Sequence, residues 1–254
     1  MGISVGGQGL SRVIDELFAD VKNKFVFNYL DDLIVYSHSL EEHSSHVRTV
    51  LDRLQEAEFT LNIDKITIAA TEIQYLGHLL SPRGISVLPE RVAAISAYPR
   101  PHKLRTLRRF LGMTGFYARF IPEFSNCAAP LHALKRKGAI FDWTSEHNDA
   151  FETLKKALSQ APVLQIPDFT KEFVLVTDAS NLAISAVLNQ RVGESLAPIS
   201  FHSRLLSPAE RNYTIYEKEC LANLFGCERC RPYLEHTEFE LHCDNLSMLV
   251  IETC

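Results

Sequence analysis

No uninterrupted apolar run in this 254-residue chain approaches the ~20 residues that a membrane-spanning helix needs. Met1 is not followed by the charged segment and apolar segment of a secretory leader. The expectation is therefore an intracellular, cytoplasmic protein with no signal peptide, no transmembrane segment and no membrane partner. Cysteine is thin: six residues (127, 220, 227, 230, 243, 254) lack the density of a disulfide scaffold, so reduced thiols are the default. Excess positive charge is missing too. A net charge of −5 and a pI near 6.1 give no global electrostatic reason to bind nucleic acid, so local basic patches must carry any such case. Repeats and low-complexity tracts are absent. What is present is ordinary globular material, 46% hydrophobic, with length for one large domain or two to three small ones.

Cys227 and Cys230 form a C-x-x-C, with His236, His242 and Cys243 following, which raises a zinc site. The surrounding "YEKECLANLFGCERCRPYL" has the spacing of one continuous helix, which favours a structural role for the pair.

Periodicity divides the chain. Residues 10–20 put Leu10, Val13, Ile14, Leu17 and Phe18 on one helical face. Ser39 and Glu42 make a capping box that opens a helix to about Glu58, with Val47, Val50, Leu51 and Leu54 inward. Short β-rich pieces follow at 60–63, 65–69, 73–75, 78–80 and 85–87. Pro89 starts a helical stretch that runs to about residue 160, with Leu104, Leu107, Phe110 and Leu111, then Ala150, Phe151, Leu154 and Leu158, at core spacing. From Phe173 the period returns to strands, in β-β-β-α-β order, with the helix at 210–230.

Within this plan, "FVFNYLDDLIVYS" sets Asp31 and Asp32 between two β runs, 25–30 and 33–36, so that the pair sits at a tight hairpin turn. A structural hairpin prefers Asn-Gly or Asp-Gly there, because the favoured two-residue turns need positive φ. Adjacent carboxylates repel unless a cation neutralises them, and hard oxygen ligands around an open site suit Mg²⁺. Aromatic-x-Asp-Asp centred in a β-hairpin is the arrangement of phosphoryl-transfer polymerases.

"NYLDDLIVYSHSLEEHSSHV" resembles the Y-x-D-D region of reverse transcriptases, specifically those of gypsy-type LTR retrotransposon Pol polyproteins. The similarity extends along the chain: "QYLGHLLSPRGISV" resembles the primer grip, "LRRFLGMTGFYARFIPEFSNCAAPLHAL" the thumb and connection, and "LVTDASNLAISAVLNQ" with "NYTIYEKECLA" the RNase H domain. The resemblance implies an α+β chain: a partial polymerase palm at 1–87, a helical thumb/connection at 88–165, and a truncated RNase H-like α/β domain at 166–254.

It implies RNA-directed DNA synthesis with RNA strand cleavage. Asp31 and Asp32 would be palm metal ligands after Tyr29, and Tyr75, Leu76, Gly77 and His78 would hold the primer end. Asp178, Glu219 and Asp244 would be RNase H metal ligands. Following a primer grip, Arg100, Lys103, Arg105, Arg108 and Arg109 would contact duplex phosphates without base specificity. The implied cofactor is Mg²⁺, with Mn²⁺ the alternative. The implied partners are an RNA template, a DNA primer and an RNA–DNA hybrid, with dNTPs as substrates of a full-length enzyme inside a virus-like particle.

The chain also departs from the family. A first palm Asp is expected upstream of Met1 and a fourth acidic ligand beyond Cys254, and of the family's Phe-Gly pair only Gly2 is present. Ile66 stands where Cys is common and Ser185 where Gly is usual. The expectation is an incomplete enzyme; the alternative is a catalytically dead remnant serving as a nucleic-acid-binding module.

Overall fold

The computed structural model describes residues 6–30 and 32–243, so Asp31 and Asp244 lie outside the described residues. The chain divides into two compact units, Met1–Thr71 and Glu72–Cys254.

The first unit runs α1 (Gly6–Leu17), β1 (Val26–Tyr29), β2 (Asp32–Val35) and α2 (Leu40–Glu56), with β1 antiparallel to β2. Ile14, Phe18, Val21, Val26, Val50 and Leu54 form its core. Complete burial of a side chain such as Phe18 contributes about 1.5–3 kcal/mol. Val13 and Leu51, assigned inward by periodicity, face solvent instead. Ser39 caps α2 through the backbone N–H of Glu42, while the Glu42 carboxylate accepts from the N–H of His38, one residue earlier than a standard capping box. Arg53 holds α2 to the end of α1 through both carboxylate oxygens of Asp20 (2.6 and 2.8 Å) and the carbonyl of Leu17.

The strands expected at 60–63 and 65–69 do not form. A single 3₁₀ turn occupies Ile63–Lys65, capped by the Asn62 side chain, and Ile63, Ile66 and Ile68 are exposed. Their alternation has no packed surface to meet, so a local side-chain cap decides the backbone.

The second unit begins with β3 (Ile73–Tyr75), β4 (His78–Ser81) and β5 (Gly84–Val87), an antiparallel three-stranded sheet. Gly84 and its neighbour Ile85 approach Leu164 closely: Ile85 exchanges two 2.8 Å backbone hydrogen bonds with Leu164, and a Cβ on Gly84 would lie 2.1 Å from the Leu164 carbonyl oxygen. Four helices follow, α3 (Pro89–Ser96), α4 (Leu104–Phe116), α5 (Phe124–Ala133) and α6 (Ser145–Ser159), around a core that includes Leu107, Phe110, Phe120, Leu131, Phe151 and Leu154. A 3₁₀ turn, Ala118–Phe120, separates α4 from α5.

The last part is a four-stranded sheet in the order β8-β7-β6-β9. Its strands are β6 (Phe173–Ala179), β7 (Ala183–Val192), β8 (Ser195–Leu205) and β9 (Phe239–His242). Between β8 and β9 runs α7 (Ile215–Leu234), and this crossover makes β9 parallel to β6. Thr214 and Glu217 close a reciprocal capping box at the start of α7. Phe173, Leu175, Ile184, Leu188, Ala222 and Phe225 bury the interface of helix and sheet. Cys230 belongs to that core, and burial pushes its thiol up to about 12, the opposite of the thiolate that zinc requires. Among the described residues, no helix is long and apolar enough to cross a membrane.

Candidate active site and nucleic-acid interface

Asp32 is the first residue of β2 and pairs directly with Tyr29. The second strand begins at Asp32, one residue earlier than the β run at 33–36 suggested, so Asp32 belongs to the ladder and not to the turn. Leu30 takes a left-handed conformation, φ 56°. That conformation costs an L-residue roughly 1–2 kcal/mol and places strain beside the acidic pair.

Strand alternation turns Val26 and Asn28 inward and Phe27 and Tyr29 outward, so Asp32, opposite Tyr29, shares the outer face. Tyr29 is 50% exposed and Asp32 is exposed beside it. Behind the strand, Asn28 hydrogen-bonds Asp15, whose carboxyl is held below the usual range by Lys22 first and Asn28 second.

The β3–β4 hairpin turns at Leu76 (φ 47°) and Gly77 (φ 80°), with Tyr75 opposite His78. At Gly77 the Phe116 ring lies 3.0 Å from where a Cβ would stand, and the Tyr117 hydroxyl donates to the Gly77 carbonyl at 2.8 Å. The His78 ring packs against Phe116, Phe120 and the edge of Tyr117 at centroid distances of 5.2–5.7 Å. Burial lowers its pKa, opposed by a hydrogen bond to the Leu76 carbonyl and aided by the charge of Arg119. His78 and Gly77 thus fasten the hairpin to the end of α4, and the exposed group at its tip is Leu76.

On α4, Arg105, Arg108 and Arg109 are exposed opposite the buried Leu107, Phe110 and Leu111. Lys103 stands at the N-cap, and Arg100 lies over the Trp143 ring with a 3.3 Å hydrogen bond to the Trp143 carbonyl. The same exposed stripe continues through Gly112 and Gly115, at which a Cβ would meet nothing within 4 Å. An interior helical Gly costs about 1 kcal/mol relative to Ala, and packing gives no reason for either. Sequence reading missed these two; the signal was glycine on the polar face of a helix.

Asp178 lies near the exposed end of β6, and Glu219, 5% exposed, lies one turn into α7. The elements are locked together beside these acids. Thr177 hydrogen-bonds Asn223, and a Cβ on Gly226 would come within 3.0–3.2 Å of Thr177, Ala186 and Leu175. Lys218, also buried, donates to the Asn181 side chain at 3.3 Å. Two hard-oxygen donors on fixed elements, one of them open to solvent, fit a divalent cation that binds through one or two carboxylates plus substrate phosphate. Among the described residues no group of three or more His, Cys, Asp or Glu forms a metal cluster, and Asp244, the third expected carboxylate, falls outside them.

Residues 1–80 match the family model of reverse transcriptase (RNA-dependent DNA polymerase), and residues 143–241 match that of the RNase H-like domain found in reverse transcriptase. The retrovirus-related Pol polyprotein from transposon 297 of Drosophila melanogaster is 41% identical over 92% of this chain and 22% of its own length. The transposon Tf2-7 polyprotein of Schizosaccharomyces pombe is 32% identical over 93% of this chain and 18% of its own length. The chain therefore spans about a fifth of the length of these relatives. The fold is similar to that of foamy viral protease-reverse transcriptase in complex with dsDNA, with a TM-score of 0.88 at 22% identity over 100% of this chain and 53% of that one. The same viral protein in complex with RNA/DNA hybrid gives a TM-score of 0.82 at 22% identity, covering 96% of this chain and 33% of that one.

Proposed function

We propose, for a chain that belongs to the reverse transcriptase and RNase H-like region of transposon Pol polyproteins, that it handles a primer–template duplex and supplies carboxylates to two phosphoryl-transfer centres. The observation that carries this reading is the buried Glu219 on a helix pinned to the strand that carries the exposed Asp178 near its end. The three-part division into palm, thumb/connection and RNase H-like domain, at 1–87, 88–165 and 166–254, is part of the proposal.

Both families are metal-dependent in general, and Mg²⁺, with Mn²⁺ as substitute, would supply Lewis-acid stabilisation of a phosphoryl oxygen and a more acidic bound water. Asp178 and Glu219, with Asp244, would hold it at the RNase H-like site, and Asp31 and Asp32 at the hairpin. The chain's own contribution is positioning. Thr177 and Asn223 fix the spacing of Asp178 and Glu219, and the Tyr29 ring lies beside Asp32 on an open face where a primer end can approach. Arg105, Arg108 and Arg109 bind backbone phosphates, while Gly112 and Gly115 let the duplex come close to the helix. Leu76 faces the primer strand from a hairpin that Gly77 and His78 hold in place, with Tyr75 behind it on the packed face opposite His78. The nucleic-acid substrates are an RNA template, a DNA primer and their hybrid, and dNTPs serve the complete enzyme. The setting is the cytoplasm.

The test is binding of an RNA–DNA hybrid in Mg²⁺ and in chelator, with the RNA strand followed for nicking. Hybrid binding should tighten in Mg²⁺, and that increment, with any nicking, should vanish in Asp178→Asn and Glu219→Gln while the metal-independent binding remains. A metal increment or nicking that survives both substitutions refutes the assignment.

A further inference from the structure

A second charged site lies where the 3₁₀ turn after α4 meets β8 and α7. Its cavity, about 160 Å³, is lined by Arg119, Arg229, His202 and Ser203 with Phe124 and Phe225, and no carboxylate is among its lining residues. The two arginines differ from their neighbours. Arg204 is held by both oxygens of Glu210 at 2.8 and 2.9 Å, and Arg231 by Glu235 at 2.7 Å. Arg119 and Arg229 have no acidic partner within ion-pair distance among the described residues. Arg119 donates to the Ile199 carbonyl at 3.4 Å, and its buried Nε has no hydrogen-bond partner among the described residues. The Arg229 guanidinium lies 5.5 Å from the centre of the Phe225 ring, which orients it without neutralising it.

The remaining groups complete an anion cradle. Ser203 Oγ accepts from the backbone N–H of Ser125 at 2.9 Å, which leaves its own proton to donate. His202 is neutral at physiological pH, its pKa pushed down to about 4 by burial first and then by the charges of Arg119 and Arg229. Arg119 and the solvent-exposed Arg229 line one recess without a counter-charge, and an anion seated there gains charge-assisted hydrogen bonds from both. The volume sets the size of that anion. At about 160 Å³ the cavity falls below the ~300 Å³ from which sites for drug-sized ligands begin, and it suits a group the size of one tetrahedral oxyanion.

We propose that Arg119, Arg229 and Ser203 form a phosphate-binding site, separate from both carboxylate centres. The phosphate comes either as the free ion or as one group of a nucleic-acid strand. The site stands whether or not those centres act on nucleic acid.

Calorimetric titration with inorganic phosphate, at constant ionic strength in a chloride buffer, tests the first source. An RNA–DNA hybrid tests the second. The panel is the unmodified chain, Arg119→Gln, Arg229→Gln, and Arg83→Gln as a remote control whose arginine pairs with Glu72 at the surface. Arg229 makes no structural hydrogen bond among those described, so its variant keeps the test valid if Arg119→Gln unfolds. Phosphate binding that weakens roughly tenfold in Arg229→Gln but not in Arg83→Gln, accompanied by phosphate-induced shifts of the His202 ring resonances, establishes the free-ion form. If only hybrid binding weakens in Arg229→Gln, with the His202 resonances moved by hybrid alone, the strand-phosphate form is established. If neither ligand distinguishes Arg229→Gln from Arg83→Gln, the proposal is overturned.

Discussion

Thr177 and Asn223 share a hydrogen bond across the β6–α7 interface, one residue before Asp178 on the strand and four after Glu219 on the helix. The bond sits in a buried position on both sides, so its loss is felt twice, once in stability and once in the spacing of the acids. Thr177→Val keeps the shape but leaves the Asn223 side chain without its donor, which costs about 1–3 kcal/mol. Urea unfolding of the variant should show that drop. Replacing Asn223 with Leu in the same chain should restore part of it while leaving the metal-dependent increment of hybrid binding impaired.

Two helical glycines should respond to alanine with opposite signs. At Gly226 a Cβ presses on the Thr177 methyl at 3.0 Å and the Ala186 Cβ at 3.1 Å, both on strands that cannot retreat, so overpacking of about 1–3 kcal/mol outweighs the ~1 kcal/mol of helix propensity. At Gly112 the space is open, and alanine should stabilise by roughly 0.5–1 kcal/mol. Thermal unfolding of the two variants checks the signs. Gly112→Ala should at the same time weaken duplex binding, which a purely structural glycine would not do.

The exposed arginines of α4 have a separate signature. If they neutralise phosphates, Arg105→Ala, Arg108→Ala and Arg109→Ala together should flatten log affinity against log salt by about 0.9 for each phosphate of a B-form duplex left unneutralised. An unchanged slope places the duplex contact elsewhere.

Much of this was legible in sequence, for identifiable reasons. Strands β6 to β9 and the buried faces of α4 and α6 followed from apolar period, because each packs against a continuous core that rewards the pattern. The turn at Leu30 was misplaced by one residue because nothing in the local sequence shows that a leucine will accept a left-handed backbone. The strands at 60–69 failed because Ile63, Ile66 and Ile68 alternate with no partner surface. The anchoring role of His78 depends on Phe116 and Phe120, and the Arg119–Arg229 cavity on residues from separate elements; only packing brings either set together.

Acid stability should depend on Glu210, whose carboxyl is held down to about 2 from an ordinary 4.5, by Arg204 first and then by the Ser207 backbone. A folded-state pKa below the unfolded one gives stabilisation that is complete above about 4.5 and lost as pH falls towards about 2. The pair is partly exposed, and screening reduces its contribution to about 1 kcal/mol. Between about pH 6 and about pH 3 the urea midpoint of the unmodified chain should therefore fall further than that of Glu210→Gln.

The central claim is that the end of β6 and the second turn of α7 form one metal site. Relaxation enhancement of backbone amide resonances by Mn²⁺ reads it most directly, since Mn²⁺ substitutes for Mg²⁺ at oxygen ligands and its broadening falls off steeply with distance, strongest nearest the ion. Substoichiometric Mn²⁺ is predicted to broaden the amides of residues 177–179 and 218–222 together, and to lose that effect in Asp178→Asn with the fold retained. Broadening that misses both segments, or that persists there unchanged in an Asp178→Asn, Glu219→Gln double variant, would contradict the account.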